Sequence, residues 1–276
     1  MHPIIKNLRK KSSDLKNQGL GNDVIRVQIK ELLQNHILYA IYNHKKYKDL
    51  IFYGGTCLRK KFSLNRMSED LDFETLRPIE FKALGEEIIK YFNRIELKNT
   101  YFSVQKGEYI SRVTVKFPIL NLLELSPHQD EALHVKVEIN EKLTGIYETQ
   151  LSPLMIDSLS LVLCHYNLET LMAGKILACL TRVFKKGKTG IEIKGRDFYD
   201  LIWFMQKGVI PNISKLKDGL RIENLKEVFQ LLDQKVAKIT ERDLKEDLLP
   251  LFIEKNFVID WCQNFHEFYN LYRKNY

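Results

Sequence analysis

The chain has 276 residues, of which 45% are hydrophobic and 28% charged, a composition that is ordinary for a folded protein of one large domain or two smaller ones. Its formal net charge of +8 favours polyanionic partners, with nucleic acid as the first candidate, although charge alone fits a merely soluble basic protein equally well. No apolar run is long enough to cross a membrane, the N-terminus lacks the apolar core of a secretory signal, and the four scattered cysteines predict reduced thiols in a cytoplasmic protein.

The first half of the chain mixes helices and strands. Apolar residues at helical spacing predict helix within residues 1–48, with Asn22 or Asp23 as a cap. Period-two alternation predicts strands farther on. The predicted elements are a strand at 49–53, a helix at 56–62, a strand at 70–74, a helix at 81–96, and strands at 101–105, 109–119 and 132–140.

The second half is predicted to be helical. Helical periodicity begins after Pro153 and is present at 159–182, 197–207, 216–236, 243–255 and 260–273. The chain therefore divides near residue 150, into an α+β domain with N-terminal helices at 1–150 and a helical domain at 151–276. A basic, glycine-containing loop at 185–194 lies between two of the helices.

Two aspartates separated by one leucine mark the strand at 70–74. Residues two apart on a strand point to the same face, so Asp70 and Asp72 project together while Leu71 and Phe73 face the core. Adjacent carboxylates repel each other unless a cation lies between them, and hard oxygen ligands suit Mg²⁺. The alternative for an isolated pair of this kind is a solvated acidic strand.

The sequence "GGT" precedes this pair by about fifteen residues. Gly54 and Gly55 leave a strand and enter a helix, where backbone N–H groups can bind a phosphate without obstruction by side chains. The Thr56 hydroxyl caps the helix or contacts a phosphate. A glycine pair alone is a common turn, but together with the downstream aspartates it predicts a site for a phosphate and a metal ion.

Further candidates lie outside this segment. Glu138 is a charged residue in the middle of a strand and would complete a two-metal site, although an exposed glutamate fits the pattern equally well. Lys175 lies in an apolar helix and either extends to water or presents its charge to a triphosphate. Asp197 and Asp200 share one side of a helix start, where Asp197 also suits a cap. No histidine has metal-ligand spacing or a paired nucleophile.

These residues resemble the AbiEii/AbiGii toxin family, nucleotidyltransferase-like proteins of abortive-infection and type IV toxin–antitoxin systems that are related to the mycobacterial MenT toxins. The resemblance runs from about residue 30 to residue 205. Met67 departs from the aromatic residue that is usual there. The segments that carry the resemblance are "GGTCL" at 54–58, "RMSEDLDF" at 66–73, "VKVEIN" at 135–140, "LMAGKILACLTR" at 171–182 and "GRDFYDL" at 195–201.

The resemblance implies a DNA polymerase beta-like nucleotidyltransferase fold, in which Asp70 and Asp72 bind Mg²⁺, Lys175 holds the triphosphate and Asp197 is essential. It also implies transfer of a nucleotide, often a pyrimidine from CTP or UTP, to the 3′ acceptor end of tRNA. A separately encoded antitoxin would be the protein partner. The expected nucleotide-binding residues are Gly54, Gly55, Thr56, Arg66, Ser68, Lys175, Arg182, Arg196 and Asp200.

The expected mechanism is in-line attack of an RNA 3′-hydroxyl on the α-phosphate of an NTP, with two metals stabilising the attacking and leaving oxygens. Glu138 is assigned either to the second metal or to deprotonation of the hydroxyl. Transfer to a small molecule, transfer to a protein side chain, and a catalytically silent nucleic-acid-binding module remain the alternatives.

Overall fold

The computed structural model describes residues 3–141, 147–182 and 193–276. Within these residues, the helices are α1 (Pro3–Asn17), α2 (Asn22–Tyr42), α3 (Gly54–Phe62), α4 (Phe81–Arg94), α5 (Leu168–Thr181), α6 (Gly195–Gln206), α7 (Ile213–Leu220), α8 (Leu225–Val236), α9 (Glu241–Leu248), α10 (Lys255–Gln263) and α11 (Phe265–Arg273). The strands are β1 (Ile51–Tyr53), β2 (Asp70–Glu74), β3 (Tyr101–Gln105), β4 (Ile110–Phe117), β5 (Leu133–Asn140), β6 (Thr149–Ile156) and β7 (Leu159–Tyr166). None of the described helices is both long and apolar enough to cross a membrane.

In the described part of the chain the strands form one seven-stranded mixed sheet in the order β3-β4-β5-β2-β1-β7-β6. The strand β2 is central, antiparallel to β1 and parallel to β5. One face of the sheet is apolar, and its residues Leu71, Val113, Val115, Val135, Val137 and Ile139 are fully buried. The alternation predicted for the strands at 70–74, 109–119 and 132–140 is therefore confirmed.

Helices α2 and α4 contact the sheet and each other. The inward side of α2 is mostly apolar, and Ile25, Ile29, Leu33 and Ile37 are buried at intervals of four residues. The helix begins after Gly21, so the predicted cap at Asn22 or Asp23 is wrong by one or two residues.

The described residues divide into two compact units. We call them the sheet unit, within Met1–Ser63, Met67–Gly145 and Thr149–His165, and the helical unit, within Leu64–Arg66, Ile146–Glu148 and Tyr166–Tyr276. The predicted boundary near residue 150 falls inside β6, and strands carry the sheet unit on to His165.

The prediction of a single helix at 159–182 is wrong at its start. Residues Leu159–Tyr166 form β7, with Leu161 and Leu163 buried in alternation, and α5 begins only after Asn167. The Asn167 side chain accepts a hydrogen bond from the Thr170 backbone N–H and so caps α5.

Two other predicted helices are interrupted. The prediction at 216–236 contains two helices, α7 and α8, because Arg221 adopts a left-handed backbone conformation and the Asn224 side chain caps α8. The prediction at 243–255 ends early, since Pro250 lies in a 3₁₀ turn, Leu249–Leu251, that follows α9.

Candidate active site

Asp70 and Asp72 lie on one face of β2, as their spacing predicts. Leu71 and Phe73 between and beyond them are fully buried on the other face, whereas both carboxylates are partly accessible. In the antiparallel pairing with β1, Asp72 is aligned with Tyr53, the last residue before α3. The carboxylate pair therefore lies at the point where the chain leaves β1 and enters α3.

Gly54 lies against the Asp72 carboxylate. A Cβ at position 54 would be 2.3 Å from Asp72 Oδ2, and the backbone of Gly54 has φ +76°, in the left-handed region. A side chain at this position would therefore both strain the backbone and displace the carboxylate. The glycine predicted to bring phosphate close to the backbone thus also makes room for an acidic side chain.

Thr56 connects α3 to β2. Its side chain is fully buried, and its hydroxyl donates a hydrogen bond to the Asp70 carbonyl oxygen at 2.5 Å. The predicted roles of this hydroxyl as a helix cap or phosphate contact do not fit that burial. The first-turn N–H groups of α3, including that of Gly55, have no acceptor within the helix and remain the candidate anion-binding groups.

Asp70 lies between like and opposite charges. Burial raises its pKa, Lys136 counteracts this with its ammonium 3.7 Å from Asp70 Oδ1, and the neighbouring carboxylates Glu138 and Glu69 raise the pKa further. The pKa lies above its ordinary value, because the folded chain alone does not fully stabilise the negative charge. A cation bound here would supply that stabilisation.

Glu138 is aligned with Asp72 in the parallel pairing of β2 and β5, so the sheet does bring it beside the pair. Its carboxylate, however, is held by Arg112, whose Nη2 and Nε lie 2.5 and 2.8 Å from Glu138 Oε1. Among the described residues no group of three or more His, Cys, Asp or Glu side chains is arranged to hold a metal ion. The role of Glu138 as third metal ligand thus stays a prediction.

The donor set of the pair fits Mg²⁺. Two carboxylates on one face supply hard oxygen ligands, and Mg²⁺ usually takes one or two such ligands and fills its octahedron with water and phosphate oxygens. Because Gly54 has no Cβ, the Asp72 carboxylate has room to lie at the start of α3. Two carboxylates beside the start of α3 thus have the chemistry to hold Mg²⁺ together with a phosphate.

The helical unit contains a second charged cluster. Lys175 on α5 lies 2.8 Å from Asp197 Oδ1 and 2.8 Å from Asp200 Oδ2, both on α6. Arg66 makes a two-pronged ion pair with Asp200, at 2.6 and 2.7 Å. All four side chains are buried or nearly so, and their opposite charges compensate one another.

Burial alone would raise the pKa of the two aspartates in this cluster, but the neighbouring cations outweigh it. Lys175 and Arg182 lower the pKa of Asp197, and Arg66 and Lys175 lower that of Asp200. Burial likewise disfavours the charge of Lys175, but Asp197 and Asp200 raise its pKa above the ordinary value. The cluster is therefore fully ionised at neutral pH.

The other predicted phosphate ligands differ in accessibility. Arg182 Nη1 lies 2.5 Å from Asp197 Oδ2, and its side chain is 43% exposed, so it is the accessible cation of the cluster. Arg66 is buried in its pair with Asp200, which suits positioning of Asp200 better than direct phosphate contact. Arg196 donates its backbone N–H to Asp247, and Ser68 is half-buried beside β2. Residues 185–192 of the predicted basic loop lie outside the described residues.

Sequence reasoning missed Gln34, which positions the carboxylate pair Asp70 and Asp72. Gln34 on α2 is fully buried, and its amide donates to the carbonyl oxygens of Ser68 and Glu69, at 3.1 and 2.8 Å. These carbonyls directly precede Asp70, so Gln34 fixes the start of β2. A buried glutamine in an otherwise apolar helix face was the available signal.

Comparisons with known proteins agree with this architecture. A solved structure named "Crystal structure of putative nucleotidyltransferase from H. pylori" superposes with a TM-score of 0.51 at 16% identity, covering 89% of this chain and 93% of that chain. A second, JHP933 from Helicobacter pylori, has a TM-score of 0.44 at 19% identity and covers 90% of this chain and 97% of that one. No curated protein matches the sequence.

The fold is thus similar to that of a structure described as a nucleotidyltransferase. The family described as "Nucleotidyl transferase AbiEii toxin, Type IV TA system" matches residues 36–261, most of the chain. The chain belongs to this family, and the protein is a nucleotidyltransferase of a toxin–antitoxin system. A nucleotide substrate and an antitoxin partner follow from that membership.

Proposed function

We propose that this enzyme is a Mg²⁺-dependent toxin with a DNA polymerase beta-like fold that transfers a nucleotide from an NTP, CTP or UTP, to the 3′ acceptor end of tRNA. The observation that carries the proposal is the pair Asp70 and Asp72 on one face of β2, beside the glycine start of α3. Family membership and the basic net charge of +8 support a polyanionic acceptor over a small molecule. Modification of the acceptor end would block aminoacylation and stop translation.

The residues of the sheet unit have separate roles in the proposed reaction. The N–H groups of the first turn of α3, at Gly54 and Gly55, bind phosphate oxygens of the NTP. Asp70 and Asp72 would hold Mg²⁺, and the bound ion would neutralise charge on the reacting phosphate oxygens. Glu138, restrained by Arg112, lies next to Asp72 in the sheet and is proposed to bind a second metal or to help deprotonate the attacking hydroxyl.

The cluster of the helical unit is assigned to the same reaction on the resemblance to the family. Lys175 supplies positive charge for the triphosphate, and Asp197 and Asp200 fix its ammonium at 2.8 Å. Arg182, being accessible, contacts phosphate directly, as does Arg196.

The test is transfer of label from each α-labelled NTP to total RNA in the presence of Mg²⁺. The wild type should label tRNA-sized RNA, and the Asp70→Asn variant should lose about 10²-fold or more in rate, since a principal charge contact is removed. Burial and neighbouring carboxylates raise the pKa of Asp70, so its charge opposes folding at neutral pH and the variant should keep its thermal stability.

The matched control is Glu69→Gln, which removes the adjacent carboxylate that pairs with Lys30. This variant should retain transfer. Label on protein or on a small molecule in place of RNA would refute the proposed acceptor. Full activity of Asp70→Asn would refute the proposed site.

A further inference from the structure

The sheet face that carries Asp70 continues beyond it as a polar surface. Asp70 is aligned with Lys136 on β5. Lys136 is in turn aligned with Thr114 on β4, and Thr114 with Ser103 on β3. Aligned residues of neighbouring strands point to the same face, and strands are about 4.8 Å apart, so this row extends roughly 14 Å from the carboxylate to the edge of the sheet.

A second row on the same face is basic and aromatic. Lys116 on β4 is aligned with His134 on β5 and with Tyr101 on β3. The Lys116 ammonium lies 5.5 Å from the centre of the Tyr101 ring, and Tyr101 is 48% exposed. Within the ranges that the structure describes, no carboxylate forms an ion pair with Lys116. Its charge is therefore available to a ligand.

Positive charge is concentrated around His134. Partial burial of the imidazole lowers the pKa of His134, and the ammonium groups of Lys116, Lys30 and Lys136 lower it further. Lys30 and Lys136 are partly compensated by Glu69 and Asp70, so Lys116 contributes most of the positive potential at this end of the carboxylate pair. An anion bound there would relieve the repulsion among them.

Lysines beside an exposed aromatic ring are the features with which proteins bind single-stranded nucleic acid. The ammonium groups contact phosphates, and the ring stacks on an unpaired base. A sheet face with an exposed tyrosine suits unpaired bases, in the way that sheet aromatics stack RNA bases elsewhere. Because this surface lies next to Asp70, a single-stranded RNA bound there would lie beside the reacting phosphates of the proposed reaction.

We propose that this surface binds the unpaired 3′ end of the acceptor RNA and guides its terminal hydroxyl to Asp70 and Asp72. We call it the lysine face, and it consists of Tyr101, Ser103, Thr114, Lys116, His134 and Lys136. The inference rests on the proposed function, because it takes RNA as the acceptor. Glu138, which is paired with Arg112 on the same face, is the acidic residue at its border.

The triphosphate of the NTP offers the same phosphate chemistry as an RNA backbone. An NTP also carries a base, but an RNA strand bound along the sheet face has further bases that reach Tyr101 on β3 while its 3′ end lies at β2. Loss of the Tyr101 ring should therefore weaken RNA binding without changing the KM for NTP.

The experiment measures fluorescence anisotropy of a labelled single-stranded RNA oligonucleotide, without NTP or Mg²⁺, over a range of salt concentrations. Tyr101→Ala should weaken binding by about tenfold, the order expected for one stacked base. Lys116→Ala should weaken it and lower the salt slope by about 0.7, the share of one phosphate contact on a single strand. Lys116→Arg should restore both.

The control is Lys82→Ala, which removes an exposed lysine of α4 and should leave affinity and slope unchanged. Equal effects of Lys82→Ala and Lys116→Ala, or failure of the wild type to bind the oligonucleotide, would overturn the inference. A raised KM for NTP with an unchanged KM for RNA in Tyr101→Ala would also overturn it, in favour of a triphosphate site. If the wild type labels no RNA, the proposed function fails whatever these variants show.

Discussion

At the scale of single residues, Gly54 has two independent reasons to be glycine. Its φ of +76° is costly for other residues, by about 1–2 kcal/mol. Its missing side chain leaves room for the Asp72 carboxylate. The two effects can be separated because Gly208 also has a positive φ, +65°, with nothing near its absent Cβ.

We expect Gly54→Ala to reduce transfer by about 10²-fold, because the new methyl group pushes the Asp72 carboxylate away from α3. Its free energy of unfolding should fall by about 1–2 kcal/mol from the backbone alone. Gly208→Ala should lose comparable stability with full transfer activity. Urea unfolding and initial rates measure the two quantities, and an active Gly54→Ala enzyme would contradict the assignment.

Gln34 acts on Asp70 through the backbone. Replacing it with leucine removes both hydrogen bonds to the carbonyls of Ser68 and Glu69 and leaves these acceptors less satisfied, which costs about 1–3 kcal/mol. Because the start of β2 loosens, Gln34→Leu should also need more Mg²⁺ for half-maximal transfer.

Gln28→Leu is the matched control for that variant. Gln28 lies on the same helix, and among the described residues its amide donates only to the Met67 sulfur, at 3.4 Å. The Mg²⁺ requirement of this variant should be that of the wild type. A rise of the same size in both variants would indicate a general effect on α2 instead of a specific one on Asp70.

At the scale of secondary-structure elements, α5 and α6 are joined by the ion pairs of Lys175 with Asp197 and Asp200. The lowered pKa of Asp200 means that its contribution to stability is fully present above its ordinary value of 3.8 and is lost as pH falls through the lower folded value. The raised pKa of Lys175 means that its contribution is present below 10.5 and is lost at still higher pH. The cluster therefore stabilises the helical unit throughout the neutral range.

Asp200→Asn should lower the free energy of unfolding by about 3–5 kcal/mol at pH 7, because it leaves Arg66 and Lys175 without a buried partner charge. The difference from the wild type should shrink as pH falls below 3.8, where the wild-type carboxylate takes up a proton. Asp49→Asn, which breaks the exposed pair with Arg77, should change stability little at any pH. A difference for Asp200→Asn that did not vary with pH would contradict this account.

Elements were predictable where a residue pattern was local. The strand at 70–74, the helix from Phe81 and the strands β3 and β4 follow from periodicity. The strand β7 was mistaken for helix because its alternation of leucines runs without a glycine or proline into α5, and apolar residues are frequent in both. Asn167, whose side chain caps α5, marks the true beginning of the helix.

The candidate site was predictable only in part, for a related reason. Asp70, Asp72 and Gly54 lie close together in the sequence, so their spacing alone predicts a site for a phosphate and a metal ion. The pairing of Glu138 with Arg112 depends on the register between β4 and β5. That register is set by the packing of the whole sheet, which no short pattern encodes.

At the scale of the whole molecule, each unit has its own buried core and its own charged cluster. The sheet unit buries the apolar face of its strands, with Phe52 and Phe73 stacked at 5.2 Å. The helical unit packs α6 against α5, α9 and α11. Gly195 allows the start of α6 to approach the backbone of α9 at Leu244, where a Cβ would lie 3.0 Å from the Leu244 Cα.

The fold shows where some of the basic residues behind the net charge of +8 are gathered. Composition alone predicted an anionic partner but not where it would bind. The strand registers gather Lys116, Lys136 and His134 on the face that carries Asp70. Cations and carboxylates on one surface are the arrangement that a phosphate backbone and its metal ions require together.

The close approach of Gly54 to Asp72 also bears on how a cell could escape this toxin. Every amino acid other than glycine has a Cβ, so any missense change of the Gly54 codon puts an atom where the carboxylate lies. Inactivating substitutions should therefore accumulate at this codon in cells that survive expression of the toxin. A polypeptide inactivated there would keep its remaining surface, and could still occupy an antitoxin without harming its host.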